Sequence, residues 1–209
     1  MDLFPYAFAA LFSIINPLGT VPIFVGLTQD EETTERKKTA LLTAINVLVI
    51  LLISFFLGTY LLQFFGISLN SLRIAGGLII VSSGFALLTG RFAKHKGMKN
   101  KRVQIDLSQP ERFSLTPLAI PMLAGPGSIS LLITFQQEYG WTVNSMYILT
   151  AVALVCFITF LILRSSYLIA KTLGASGINA ISRIIGFIVI AIGIEYISGS
   201  VLDLLNVAQ

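Results

Sequence analysis

The charged residues of this chain stand far apart, and the gaps between them have the length of a membrane span. Uncharged stretches cover residues 3–29, 39–72, 74–90, 113–137, 139–163 and 184–202, the last interrupted only by Glu195. A hydrocarbon layer of about 30 Å is crossed by roughly 20 helical residues rising about 1.5 Å each. In lipid, backbone polar groups must be satisfied within the segment, so such stretches predict helices. The stretch 39–72 is longer than one span and too short for two; it reads as a helix over 40–65 followed by a turn around Gly66 and Asn70. Six helices result, which makes the chain an all-α polytopic membrane protein. Only 11% of its residues are charged, under half of the about 25% usual in soluble domains, and an ordinary soluble enzyme is excluded. The first stretch is expected to stay in place, because no Lys or Arg precedes it and it exceeds the apolar run of a cleaved signal.

All of the 14 Lys and Arg except Arg73 fall after the first, third and fifth helices or on their flanks. Basic residues mark cytoplasmic loops, so both termini are expected on the outer, periplasmic side. Tyr6, Tyr60, Tyr139, Trp141, Tyr147 and Tyr196 fall toward the outer ends of the spans, where amphipathic rings prefer to lie. The net charge of +4 therefore reports topology, and no nucleic-acid partner is expected. One cysteine, Cys156, excludes an internal disulfide and a Cys-based metal site, and it reads as core. No metal or cofactor is expected.

Three helices fall in each half, residues 1–100 and 101–209, and an odd number forces any repeat to be inverted across the membrane. A shift of 110 residues lays Arg73-Ile74-Ala75-Gly76 on Arg183-Ile184-Ile185-Gly186, while Pro17 and Pro126 align at 109. The expected architecture is two inverted three-helix repeats in one membrane domain, with helices one and four broken. Asn16-Pro17-Leu18-Gly19-Thr20 interrupts the first helix; Pro117, Pro121 and Gly125-Pro126-Gly127-Ser128 interrupt the fourth. Each proline lacks an N–H and clashes with the carbonyl four residues back, so Ser13 and Met122 lose partners. Paired breaks at corresponding points of two half-repeats are the sequence mark of a transporter's midplane site. Freed N–H groups there suit a carboxylate and freed carbonyls an ammonium, the two ends of an amino acid.

Glu195 is the one acid inside an expected span. It costs about 2.5–3.5 kcal/mol at a helix centre, which its apolar neighbours outweigh, and it is the candidate proton carrier or counter-ion for an amine. Arg73 and Arg183 read as interfacial residues whose long side chains reach lipid phosphate. Ser82, Ser83 and Gly84, with Gly76 and Gly77, allow close helix approach. Residues 30–38 read as a polar helical lead into the second span, with Glu32 and Arg36 paired at i,i+4. His95, between Lys94 and Lys96, reads as solvated.

Four motifs together resemble one family. Asn16-Pro17-Leu18-Gly19 with Pro22; Phe65-Gly66-Ile67-Ser68 with Leu72-Arg73-Ile74-Ala75-Gly76-Gly77; Pro117 through Gly127; and Gly177-Ile178-Asn179 with Arg183 and Gly193-Ile194-Glu195 are similar to the MarC family of bacterial inner-membrane proteins. That resemblance, with its likeness to small neutral amino-acid transporters and to the LysE exporter superfamily, implies six helices in two inverted triplets. It also implies carriage of substrates such as glycine or alanine, a lean toward export, and a homo-oligomer. On it, the substrate-binding elements are Asn16, Pro17, Gly19, Thr20, Gly125, Pro126, Gly127 and Ser128, with Glu195 as coupling or counter-ion group for H+ or Na+. Two other classes compete with a carrier: a small-solute channel and a non-transporting accessory or regulatory membrane protein. No catalytic constellation stands in the spans, with neither a His-Glu-x-x-His nor a second intramembrane acid, and the chain is not expected to be an enzyme.

Overall fold

The computed structural model describes residues 3–29, 31–90 and 123–207. Among the described residues every regular element is a helix: α1 (Leu3–Ile15), α2 (Pro17–Leu27), α3 (Thr33–Phe65), α4 (Leu69–Leu88), α5 (Pro126–Tyr139), α6 (Val143–Arg164) and α7 (Ser166–Val207). Five segments are long and apolar enough to cross a membrane: Leu3–Leu27, Thr33–Phe65, Leu69–Leu88, Val143–Arg164 and Ser176–Asn206. The sixth expected span is represented by α5, whose 14 residues reach only part of the way. Pro117, Pro121, His95 and the basic stretch 91–112 lie outside the described residues.

Turn chemistry sets the helix ends. Gly66 closes α3 with φ 64°, a left-handed geometry that only glycine adopts freely, and the Ser68 hydroxyl caps α4 through the Ser71 N–H at 3.1 Å. The last helix departs from expectation. It begins at Ser166, is interrupted at Gly174 (φ 63°, ψ 174°), and is already helical well before Arg183. Charge marks where the hydrocarbon ends, and a helix can run on past that point through polar residues. α3 does the same, starting at Thr33, ahead of its apolar stretch.

Along α3 the exposed residues Leu41, Ile45, Val49, Ile53, Leu57 and Leu61 recur every fourth position, a row facing lipid. The opposite face of α3 buries Ala40, Val47, Leu51 and Phe55 against a core that includes Leu11, Ile15, Leu131 and Ile148. Lipid is as apolar as these side chains, so packing and close approach hold the helices together here. Closest of all are α4 and α7. A Cβ built on Gly77 would lie 2.8 Å from the Gly193 carbonyl oxygen, and one on Gly84 would lie 2.8 Å from that of Gly186. The reciprocal tests on Gly193 and Gly186 give 2.8 Å to the Gly77 and Gly84 oxygens. Two antiparallel helices thus touch backbone to backbone at two points, and the tight packing expected of Gly77 and Gly84 is present.

At one end of the bundle the last turn of α2 is tied down. Arg36 donates from Nε to the Thr28 carbonyl at 3.0 Å and from Nη2 to that of Gln29 at 3.2 Å. Its guanidinium lies 4.0 Å above the Tyr167 ring, and the Tyr167 hydroxyl reaches the Val25 and Thr28 carbonyls at 3.2 and 3.0 Å. The expected Glu32–Arg36 pair on a solvated face is replaced by this tie, because carbonyls left free at a helix C-terminus are the better acceptors for a nearby cation.

Candidate functional site

The break in the first helix is built by Asn16. It is the only non-glycine described residue at positive φ (45°, ψ 64°), a region that asparagine tolerates better than most residues. Its N–H still donates to the Phe12 carbonyl at 2.9 Å, closing α1, while its side-chain oxygen accepts the Gly19 N–H at 3.2 Å, opening α2. Pro17 fills the first helical position, where no N–H is needed. Thr20 donates its hydroxyl back to the Asn16 carbonyl at 3.3 Å. A Cβ on Gly19 would press on the Asn16 amide, 3.0 Å from its Cγ, so glycine is required there. What remains is the Asn16 amide nitrogen, in a residue only 1% exposed, without a hydrogen-bond partner.

The second break is simpler. Gly125, extended at φ −82° and ψ 172°, precedes α5; Pro126 is again the first helical residue, and no side chain caps the turn. Ser128, fully buried, donates its hydroxyl to the Gly125 carbonyl at 2.9 Å. A Cβ on Gly127 would meet Ile80 at 2.8 Å and Ile14 at 3.4 Å, so the start of α5 packs against α4 and against the end of α1, two residues before Asn16. Gly127 thus lies close to the turn at Asn16, and each helix start carries the positive end of its dipole.

A cavity of about 200 Å³ opens at one end of the bundle, lined by Tyr6, Arg73, Thr134, Glu138, Glu195 and Ser200, with Tyr196 and Gly199. Tyr6 precedes Asn16 by ten residues and Glu138 follows Ser128 by ten, so both are about 15 Å along their helices from the breaks. Thr134, six residues past Ser128, is about 9 Å away. Glu195 lies two residues past Gly193, whose partner Gly77 is three residues from Ile80, which puts it about 8 Å away. Along the helices Thr134 and Glu195 are thus the nearer of these residues to the breaks, and Tyr6 and Glu138 the farther; Glu195 is exposed, whereas Thr134 is buried. Arg73, with 14% of its side chain exposed, is ion-paired with Glu138 and stands 3.7 Å from Asp203. Two buried hydroxyls, Thr134 at 1% exposure and Ser200 at 0%, have no hydrogen-bond partner. The lining offers one cation, two carboxylates and two unused hydroxyls in one space.

A smaller cavity of about 50 Å³ lies at the other end, lined by Gly19, Pro22, Leu87, Gly90, Asn179 and Ser182 among others. Among the described residues no group of three or more His, Cys, Asp or Glu is placed to hold a metal ion. Sequence reasoning gave Arg73 an interfacial role and passed over Glu138, Thr134, Ser200 and Asp203. One signal was available: Glu138 is the acid that separates two span-length stretches, and Arg73 is the lone base expected at that same end.

A model of the MarC family, described as MarC family integral membrane protein, matches residues 1–205. A UPF0056 membrane protein of Buchnera aphidicola subsp. Schizaphis graminum is 38% identical over 91% of the chain and 88% of its own length. The UPF0056 membrane protein YhcE of Escherichia coli K12 is 36% identical over 91% and 87%. The UPF0056 inner membrane protein MarC of Citrobacter koseri is 33% identical over 99% of the chain and 98% of its own. No solved structure matches.

Proposed function

The chain belongs to the MarC family of integral membrane proteins, and we propose that it is a secondary transporter of small neutral amino acids of the glycine and alanine class, working by alternating access in the bacterial inner membrane. The observations that carry this reading are the helix N-termini opened by Asn16-Pro17 and Gly125-Pro126, with Ile14 beside Gly127, and a cavity on either side of them. Such termini attract anions, and the unpartnered Asn16 amide supplies a further donor for a substrate carboxylate. Glu195, in the lining of the larger cavity, is the counter-ion for the ammonium or the group that takes up H+ or Na+.

The architecture belonging to this reading is two inverted three-helix repeats, and residue pairs 109 apart support it. Pro17 with Pro126 and Asn16 with Gly125 occupy equivalent helix-start positions. Gly77 and Gly84 are 109 residues from Gly186 and Gly193, and each pair member contacts the mate of the other, as a two-fold relation requires. The offset of 110 suggested by the arginines does not fit these contacts. The cavities correspond in the same way: Arg73 with Ser182, Leu87 with Tyr196, and Gly90 with Gly199 line opposite ends. In a rocking carrier equivalent spaces open in turn, and of these two cavities the one at the Arg73 end is the larger. The charge rule makes that end periplasmic, with both termini. The lipid bilayer is its setting, a homo-oligomer its expected assembly.

The test is flux of labelled alanine and glycine in proteoliposomes, with and without a pH or sodium gradient. Saturable flux abolished by Asn16→Ala, and gradient dependence abolished by Glu195→Gln, are the expected results. A non-selective, unsaturable leak would make the protein a channel, and no flux of either amino acid would leave a non-transporting role.

A further inference from the structure

The cavity at the Arg73 end is the larger of the two and carries charged side chains in its lining. Its volume of about 200 Å³ leaves room for glycine or alanine together with bound water. Its lining carries both signs of charge, with Arg73 ion-paired to Glu138 and Glu195 as a further carboxylate from α7. A bare cation would meet Arg73 and a bare anion would meet two carboxylates, whereas a zwitterion matches both signs. The hydroxyls of Thr134 and Ser200 are independent witnesses to a ligand. Each is buried, lines this space and lacks a partner, although a buried hydroxyl without a hydrogen bond is costly. A hydroxyl both donates and accepts, so either end of a zwitterion satisfies it.

We infer that this cavity is a second amino-acid site, distinct from the helix breaks, in which the α-carboxylate is held by Arg73 and the ammonium by Glu195, with Thr134 and Ser200 completing the hydrogen bonds. The planar guanidinium presents several N–H donors, so it takes a substrate carboxylate beside Glu138 and without losing it. Because Glu195 is among the lining residues nearest the breaks along its helix, it serves both sites. The ammonium stays on Glu195 while the carboxylate exchanges Arg73 for the N-termini of α2 and α5. The inference rests on the transport reading above and adds to it a docking stage at the Arg73 end; in the smaller cavity the position equivalent to Arg73 is Ser182.

Sidedness is the measurable consequence. In proteoliposomes of fixed orientation, the KM for alanine is measured separately from the Arg73 side and from the opposite side. Arg73→Lys keeps the charge and loses the planar fork, and it should raise the KM from the Arg73 side about tenfold more than from the other. Thr134→Val and Ser200→Ala, which leave the ion pair intact, should shift the same ratio in the same direction. Alaninamide, which lacks the carboxylate, and propionate, which lacks the ammonium, should compete from the Arg73 side at least tenfold more weakly than glycine. Equal KM changes on both sides, or competition by either analogue as strong as glycine, overturns the second site while leaving transport standing. Asn16→Ala is the reference variant, with flux lost from both sides. Absence of saturable alanine flux in the unaltered protein overturns both readings together.

Discussion

Replacing Gly84 by alanine tests the backbone-to-backbone seam between α4 and α7. The added Cβ would stand 2.8 Å from the Gly186 carbonyl oxygen and 2.9 Å from the Ile190 nitrogen, and neither atom can rotate away. Relieving the first contact from 2.8 to 3.4 Å moves the helices apart by about 0.6 Å. Overpacking of this kind costs about 1–3 kcal/mol, against which alanine gains up to about 1 kcal/mol of helix propensity over glycine. The net expectation is a loss of about 1–2 kcal/mol. Gly199→Ala is the control on α7, because nothing lies within 4 Å of its Cβ position; only the propensity gain remains, and stability should rise by up to about 1 kcal/mol. Reversible unfolding of the purified protein in mixed micelles, followed by Trp141 fluorescence, reads both. Since one parting of the helices relieves both partners, Gly84→Ala with Gly186→Ala should cost less than the sum of the two. A Gly84→Ala protein as stable as Gly199→Ala would refute the close contact.

Other expectations follow from single groups. In double-mutant cycles, Arg73 with Glu138 should couple by about 1 kcal/mol, whereas Arg73 with Asp203, 3.7 Å away and with the acid 58% exposed, should couple by no more than a few tenths; equal couplings would contradict the geometry. Asn16→Gly removes the cap on Gly19 but accepts the left-handed backbone, so it should be more stable than Asn16→Ala by about 1 kcal/mol in the same unfolding assay. Burial raises the Glu31 carboxyl above its ordinary pKa of 4.5, against the pull of its hydrogen bond from Thr39. A raised folded-state value means that this group's contribution to stability is fully present below 4.5 and is lost as pH rises through the folded-state value. Glu31→Gln should therefore flatten the pH dependence of Tm in the weakly acidic range, and an unchanged slope would remove Glu31 as its source.

The features legible in the sequence are the ones fixed locally. A proline needs no partner elsewhere to end or start a helix, so Pro17 marked the break between α1 and α2 and Pro126 the start of α5, with Asn16 and Gly125 beside them as the residues that open the two helices; the segment that would precede the second break lies outside the described residues. The spans were legible because hydrocarbon thickness acts on each stretch alone. The cavity was not, because Tyr6, Arg73, Thr134, Glu138, Glu195 and Ser200 come from four different helices, and their meeting depends on how those helices pack. Helix ends were also misjudged. Arg183 sits within α7, and the interruption falls instead at Gly174, whose positive φ leaves no mark in hydropathy. The register of the halves was half legible: the prolines carried it at 109, and only the paired glycine contacts distinguish that from 110.

The two ends of the bundle are fastened by different chemistries. At the Arg73 end the fastening includes an ion pair to Asp203, a carboxylate more than half exposed, and mobile ions screen an exposed pair of this kind at about 0.1–0.15 M salt, while the more buried Arg73–Glu138 contact is screened less. At the other end a guanidinium lies on the Tyr167 ring and donates to neutral carbonyls, with the phenol reaching two more, bonds that depend far less on ionic strength. Salt in the surrounding medium therefore loosens one fastening and leaves the other. A cell moved from dilute to concentrated surroundings would shift the balance between the two ends of this protein with no change in its substrate.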